Sequence, residues 1–176
     1  IQGSGQLRIQ EPDGRSRMVR LAFAGTNEQP YQSVGRWLLD QGLVRDASWD
    51  GIKAWVARNP QRAQEMLWAN PRYVFFKEEA ITDASIGPRG AQGLPLTPGR
   101  SIAVDPQSVT YGTPLWLVSP GPTQSLQRLV VAQDTGSAIV GAVRADLYMG
   151  TGAAAGELAG RMKQPLRLWA LLPKTP

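Results

Sequence analysis

The sequence predicts a mainly β protein with some α-helix, organised as a helix-containing first part and a small C-terminal β-barrel. Two patterns carry this prediction. Apolar residues recur at helical spacing between residues 33 and 67, whereas short apolar runs bounded by turn residues fill residues 101–172. The 19 glycines and 14 prolines among the 176 residues supply the many turns that a β-rich chain needs.

A β-hairpin is predicted over residues 6–24. Apolar and polar residues alternate over residues 6–10 and again over residues 18–24, which is typical of strands with one buried face. Between these strands, Glu-Pro-Asp-Gly at residues 11–14 is a turn sequence. A further short strand is expected at residues 72–77.

Three helices are predicted to begin near Ser33, Ser48 and Pro60. Serine is a favoured N-cap residue, and proline suits the first turn of a helix. Apolar side chains follow the helical period at Val34, Trp37 and Leu38, at Trp49, Ile52, Trp55 and Val56, and at Ala63, Met66 and Leu67. Because the tryptophans keep this spacing, we expect them to pack in a core rather than to form a sugar-binding platform.

Residues 80–100 are rich in glycine and proline and are predicted to connect two domains, residues 1–79 and residues 101–176. Within the second domain a helix is expected at residues 153–162. Buried strands are expected at residues 101–105, 114–119, 127–134 and 166–172.

The chain contains no histidine and no cysteine, and this excludes several classes of enzyme. Catalysis by Ser-His-Asp or Cys-His groups is excluded, and so are disulfides and cysteine metal sites. We therefore expect neither a metal nor a cofactor, and any catalysis must use carboxylates, hydroxyls, lysine or the backbone.

The formal net charge is +5, and most of the positive surplus lies in residues 89–176, which hold 8 Lys and Arg against 4 Asp and Glu. A basic surface attracts anionic polymers, but no basic run and no nucleic-acid-binding motif is present, so we expect no nucleic acid as a partner. No run of apolar residues approaches the roughly 18 that a membrane span requires.

Three acids end or follow apolar runs in the second half of the chain: Asp105, Asp134 and Asp146. An acid at the end of a buried strand loses solvation, and this loss raises its pKa and suits it to donate a proton. The alternative is that each aspartate only caps a turn through its side chain.

The residues from Asp134 to Ser137 spell Asp-Thr-Gly-Ser, the motif of aspartic proteases. Those enzymes need two aspartates that share a proton, so one motif would require a homodimer or a second copy in the chain. No second copy is present. An aspartic-protease-like peptidase remains an alternative prediction.

Ordered sequence strings resemble the membrane-bound lytic transglycosylase A family of bacterial cell-wall enzymes over nearly the whole chain. The strings in the first half are IQGSGQL, GTNEQPYQSVGRWL, NPQRAQEML and NPRYVFFKE. Those in the second half are RSIAVDP, YGTPLWL, VVAQDTGSAIVGAVRADLYMGTGAAAGELAG and LRLWALLP.

The resemblance implies a double-psi β-barrel, the three-aspartate domain, over residues 101–176. It implies that residues 1–79 are part of a second, groove-forming β-rich domain with helices. The family enzyme has a further region before the IQGSGQL string, with a lipoprotein signal, so the chain is expected to be N-terminally truncated. Attachment to the membrane is expected only through that missing lipid anchor.

The activity that the resemblance implies is cleavage of the β-1,4 bond between N-acetylmuramic acid and N-acetylglucosamine in peptidoglycan, with formation of 1,6-anhydromuramic acid. The implied catalytic acid is Asp146, which protonates the glycosidic oxygen and then accepts the proton of the C6 hydroxyl. Asp134 is expected to hold the proton on Asp146, and Asp105 to do the same or to stabilise the barrel.

Five residues are expected to bind the substrate: Gln133, Thr135 and Ser137 through hydrogen bonds, Tyr148 by stacking on a sugar ring, and Gly136 in a tight turn beside the groove. The expected partner is the glycan strand and the expected state a monomer. The resemblance implies the periplasm and the outer membrane as location. A non-catalytic glycan-binding barrel is the remaining alternative.

Overall fold

A computed structural model describes residues 4–81, 83, 85–122 and 124–174. The chain divides into two units, Ile1–Glu79 and Ala80–Pro176. The first three residues of the IQGSGQL string and the last two of the predicted C-terminal domain lie outside the described residues. Each unit has its own sheet, and the units are described in turn.

The first unit contains a three-stranded sheet of β1 (Gly5–Gln10), β2 (Ser16–Thr26) and β3 (Val74–Ala80), in the order β1-β2-β3. β1 and β2 are antiparallel, and their pairing runs to Gln10 opposite Ser16, which confirms the predicted hairpin. Gly14 adopts a φ of 84°. Its N–H donates a hydrogen bond to the carbonyl of Glu11 at 2.9 Å and so closes the turn.

Between β2 and β3 lie the helices α1 (Val34–Asp40), α2 (Trp49–Arg58) and α3 (Ala63–Trp68), the last preceded by a 3-10 turn at Pro60–Arg62. The hydroxyls of Ser33 and Ser48 accept backbone N–H bonds at the starts of α1 and α2, so both helices begin where the sequence predicts.

A small core joins the three helices, with Leu38, Trp55 and Met66 all buried. The expectation that every helical tryptophan is buried is wrong, because Trp49 is 64% exposed. Trp49 lies at the first position of α2, where Lys53 extends over its ring at 5.8 Å. Helical spacing alone does not show which face of α2 packs against the other helices, and Trp49 lies outside that face.

The second unit contains a five-stranded sheet with the order β7-β4-β6-β5-β8. Its strands are β4 (Ser101–Val104), β5 (Pro114–Ser119), β6 (Leu126–Asp134), β7 (Ala145–Leu147) and β8 (Arg167–Ala170), and α4 (Ala153–Gly160) precedes β8. β4 and β6 are parallel, whereas the other neighbouring pairs are antiparallel. The sequence did not predict β7, because three residues are too few to show alternation.

The core of the second unit lies on one face of this sheet. Ile102 and Val104 of β4 are fully buried, as are Val130 and Ala132 of β6. Leu115 and Leu117 of β5 and Leu126 complete the cluster. Alternate residues of β5 thus point into the core, as do Leu126, Val130 and Ala132 of β6, whereas β4 is buried along its whole length.

No helix within the described ranges combines the length and the apolar character that crossing a membrane would require.

We predict that Ile102→Ala lowers the free energy of unfolding of the second unit by about 2–5 kcal/mol, because it leaves a cavity in a fully buried position. The control is Leu129→Ala on the neighbouring strand, since Leu129 is 42% exposed and its truncation should cost under about 1 kcal/mol. Urea unfolding monitored by circular dichroism measures both values. Equal costs for the two variants would contradict this description of the core.

Candidate functional site

The strand β4 has a candidate acid on each side. Ala103 in β4 pairs with Asp134 of β6 along one edge and with Asp146 of β7 along the other. Since neighbouring strands lie about 4.8 Å apart, the two aspartate backbones are about 10 Å from each other across Ala103. Residues paired across adjacent strands point to the same face, so these two carboxylates share the face opposite the core.

A register irregularity in the β4–β6 pairing brings Asp134 to this face. Ile102 pairs with Ala132, but the next residue, Ala103, pairs with Asp134, so β6 contains one extra residue at this point. An extra residue reverses the alternation of side chains along a strand. Without the extra residue, the side chain of Asp134 would point toward the core, as that of Ala132 does.

Asp105, just beyond β4, is almost buried, with 9% of its surface exposed. One carboxylate oxygen accepts the N–H of Gly141 at 2.7 Å, and the other accepts the N–H of Gln107 at 2.9 Å. These bonds, that from Gly141 first, lower the pKa of Asp105 below its ordinary value of 3.8 and outweigh the effect of burial. The expectation of a raised pKa is therefore wrong for Asp105, and its carboxylate instead ties the chain before β7 to the end of β4.

Asp134, at the end of β6, also accepts a backbone N–H. Its Oδ1 atom lies 2.9 Å from the nitrogen of Ala91. Ala91 belongs to the glycine- and proline-rich segment that the sequence assigns to a connection, so that segment takes part in the site.

Asp146, in the middle of β7, is not sheltered by the described residues. Its side chain is 55% exposed, and one oxygen forms an ion pair with Arg144 at 2.9 Å. The expectation of an acid buried at a strand end is thus wrong for the surroundings of Asp146, because β7 is an edge strand and the residue is on its outer face.

An open cleft of about 720 Å³ runs past Asp146. Its apolar wall includes Leu117 and Met162, and its polar rim includes Arg144 and Lys163. Such a mixture of an apolar wall with a few polar groups is typical of ligand sites. In the described part of the chain, neither Asp105 nor Asp134 lines this cleft.

The five predicted substrate-binding residues lie near the ends of β6 and β7. The carboxamide oxygen of Gln133 accepts the hydroxyl of Ser101 at 2.5 Å, and the hydroxyl of Thr135 donates to the carbonyl of Val104 at 2.8 Å. These two side chains therefore already hold the sheet together.

The remaining three predicted contacts differ in exposure. Ser137 is exposed, Gly136 accepts the N–H of Ile139 in a turn, and Tyr148 is half-buried. Tyr148 is bonded to the end of β4 through its backbone, because its N–H donates to the carbonyl of Ser101 at 2.9 Å. All five stay predictions as sugar contacts.

Three features of the site were not predicted from the sequence: the Ala91 amide on Asp134, the Gly141 amide on Asp105, and Arg144 beside Asp146. The first two are backbone groups far along the chain from their acceptors, so no side-chain motif marks them. Arg144 stands two residues before Asp146, and strand alternation could have indicated that both share a face. Among the described residues, no cluster of three or more aspartates and glutamates is arranged to hold a metal ion.

Two family models match the chain. The model described as "3D domain" matches residues 100–172, and the model described as "MltA specific insert domain" matches residues 1–77.

Among the proteins it resembles, the chain is 36% identical over 181 residues to the membrane-bound lytic murein transglycosylase A of Vibrio cholerae and 34% identical to that of Escherichia coli K12. Each alignment covers 97% of this chain and 47% of the relative. The chain thus spans about half the length of the curated relatives it matches.

The solved structures to which the chain is similar include members of the same family. MltA from Neisseria gonorrhoeae is 43% identical with a TM-score of 0.81, over 96% of this chain and 43% of that one. Escherichia coli MltA with bound chitohexaose is 32% identical with a TM-score of 0.78, over 94% and 50% of the two chains. These similarities confirm the predicted fold class, which is mainly β with short helices and a double-psi β-barrel in the three-aspartate domain.

We predict that Asp105→Asn destabilises the second unit near pH 7 and that this difference from wild type disappears in acid. The carboxylate stabilises the fold above its ordinary pKa of 3.8, and this stabilisation is lost as the pH falls through the lowered pKa of the folded state. Urea unfolding measured from about pH 7 to about pH 2 follows the difference.

The control for this series is Asp50→Asn, because the Asp50 side chain is 90% exposed and forms an ion pair with Lys53 across one helical turn. A stability difference for Asp105→Asn that stays constant over the whole pH range would show that the carboxylate charge does not hold the two backbone amides.

Proposed function

The chain belongs to the membrane-bound lytic murein transglycosylase A family, and we propose that the protein cleaves the glycan strands of peptidoglycan as a lytic transglycosylase. The bond cleaved is the β-1,4 linkage between N-acetylmuramic acid and N-acetylglucosamine, and the product ends in 1,6-anhydromuramic acid. The observation that carries the proposal is the pairing of Asp134 and Asp146 on either side of Ala103, within the three-aspartate domain.

Asp146 acts first as general acid and then as general base. Its carboxyl proton passes to the glycosidic oxygen as the bond to C1 of the muramyl residue breaks. The resulting carboxylate then accepts the proton of the C6 hydroxyl of the same sugar while that oxygen attacks C1. Because the nucleophile belongs to the substrate, its effective molarity is high and neither a protein nucleophile nor a metal is needed.

The exposure of Asp146 suits this role, since a long polymer must reach the carboxyl group from solvent. Arg144 has to leave the Asp146 oxygen before that oxygen carries a proton. Their ion pair is about half exposed on both sides, and exposed pairs contribute only about 0–1 kcal/mol, so opening it costs little. A bound glycan strand then supplies the shelter that the free protein lacks.

Asp134 and Asp105 support Asp146 in different ways. Asp134, on the same face about 10 Å from Asp146, is the second acidic group of the proposed site. Asp105 holds the loop at Gly141 and thereby the position of β7.

The substrate contacts in this proposal are Gln133, Thr135, Gly136, Ser137 and Tyr148. Ser137, three residues after Asp134, is exposed, and a hydroxyl can both donate to and accept from a sugar or an N-acetyl group. Tyr148, which follows Asp146 by two residues, presents a ring for stacking. The chitohexaose in the structure of the Escherichia coli relative supports an oligosaccharide as the ligand of this fold.

The setting that we propose is the cell envelope, with the protein acting as a monomer in the periplasm at the outer membrane. Relatives carry the description "membrane-bound", which supports this location. The net charge of +5 favours contact with an anionic wall polymer, and no metal or cofactor enters the proposed reaction.

We predict that Asp146→Asn lowers kcat for release of anhydro-muropeptides from purified sacculi by at least about 100-fold, because general acid–base catalysis contributes about 10²–10⁴-fold. The matched control is Asp40→Asn. Asp40 is also about half exposed and pairs with an arginine, Arg36, at 2.9 Å, but it lies in the first unit. Mass spectrometry of the digest measures the anhydro-muramyl ends.

Three results distinguish the candidate functions. Anhydro-muramyl ends from wild type and from Asp40→Asn, but not from Asp146→Asn, support the proposal. Full activity of Asp146→Asn would mean that another group is the acid. Glycan binding without any anhydro product would favour a non-catalytic barrel, and pepstatin-sensitive peptide cleavage that depends on Asp134 would favour a peptidase.

A further inference from the structure

The segment before β4 folds back on itself as a narrow loop, residues 87–96. The N–H of Gly90 donates to the carbonyl of Leu94 at 3.0 Å, and the N–H of Leu96 donates to the carbonyl of Pro88 at 2.8 Å. The Leu96 side chain is buried, so the loop is anchored at its base. These bonds give the loop a defined shape of its own.

The tip of the 87–96 loop holds the end of β6 through two consecutive amides. The N–H of Ala91 donates to Oδ1 of Asp134 at 2.9 Å, and the N–H of Gln92 donates to the carbonyl of Gln133 at 3.1 Å. One bond fixes the backbone of β6 and the other fixes the carboxylate that this strand carries. Both acceptors lie more than forty residues along the chain from their donors.

The chain that follows the loop is bonded to the same residue of β6. The N–H of Thr97 donates to the hydroxyl of Ser101 at 2.8 Å, and that hydroxyl donates to the carboxamide oxygen of Gln133 at 2.5 Å. Ser101 is fully buried. The loop is therefore held to β6 at its tip and again where it enters β4.

Gly90 allows the close approach between the loop and β6. A Cβ atom at this position would lie 2.4 Å from the carbonyl oxygen of Gln133 and 3.2 Å from Cβ of Asp134. The first contact is with backbone, which cannot move aside as a flexible side chain can. Gly90 is not among the described glycines with positive φ, so the requirement for glycine comes from contact and not from backbone conformation.

We propose that the 87–96 loop positions the Asp134 carboxylate for the transglycosylase reaction, and that Gly90 is the positioning residue on which this depends. The inference rests on the proposed function. By lacking a side chain, Gly90 lets the Ala91 amide reach Oδ1 of Asp134 and fix the direction of the carboxylate.

The variant that tests the proposal is Gly90→Ala, with Gly156→Ala as the matched control. A Cβ at Gly156, on α4, meets no atom within 4 Å. Gly90→Ala is expected to lower kcat about 10- to 100-fold with little change in KM, because Asp134 belongs to the proposed acidic site but is not among the proposed substrate contacts, so its displacement costs rate rather than binding. Gly156→Ala is expected to keep wild-type kcat.

A double-mutant cycle with Asp134→Asn separates positioning from a general loss of structure. If Gly90 acts through Asp134, adding Gly90→Ala to Asp134→Asn causes no further loss of kcat. A loss that is equally large in both backgrounds, or wild-type kcat for Gly90→Ala itself, would overturn the inference.

A second measurement does not depend on activity. In ¹H–¹⁵N spectra of the wild-type chain, the Ala91 amide shift is expected to move on Asp134→Asn, because the substitution changes the acceptor of that N–H. An unchanged Ala91 shift would overturn the inference, even if Gly90→Ala did not fold. If the Ala91 shift moves but the wild-type protein releases no anhydro product, the contact between the loop and Asp134 is supported. The proposed function is then rejected instead.

Discussion

The strand β4 is hydrogen-bonded along both edges, and the candidate site depends on this double pairing. β6 and β7 follow one another along the chain but pair with opposite edges of β4, so Asp134 and Asp146 lie beside the same residue, Ala103. The extra residue in β6 is equally necessary, since it turns Asp134 away from the core that the rest of that strand faces. A buried strand with no functional side chain of its own thus sets the spacing of two carboxylates.

The three aspartates of the domain have three different environments, and these divide their roles. Asp105 is nearly buried and accepts two backbone amides, which lower its pKa and make it a structural anion. Asp134 accepts one amide from a loop that packs against it. Asp146 has only an exposed arginine as its described ion-pair partner, so it alone of the three presents a half-exposed carboxyl to an arriving polymer.

Local patterns predicted most of the secondary structure, and long-range contacts account for what they missed. The serine caps, the hairpin turn and the apolar runs are determined within a few residues, and the elements they predict are present. The strand β7 exists only because β4 offers it an edge. The lowered pKa of Asp105 and the Ala91 bond to Asp134 come from amides 36 and 43 residues away, which no local pattern reports.

The most direct test of this account is a crystal structure of the protein with a bound N-acetylated oligosaccharide of at least four sugars. The account predicts that a carboxyl oxygen of Asp146 lies within hydrogen-bond distance of a glycosidic oxygen, roughly 2.6–3.2 Å. It also predicts that Asp134 lies on the same side of the sheet. A glycan strand bound in the second unit with its linkages out of reach of Asp146 would contradict the account.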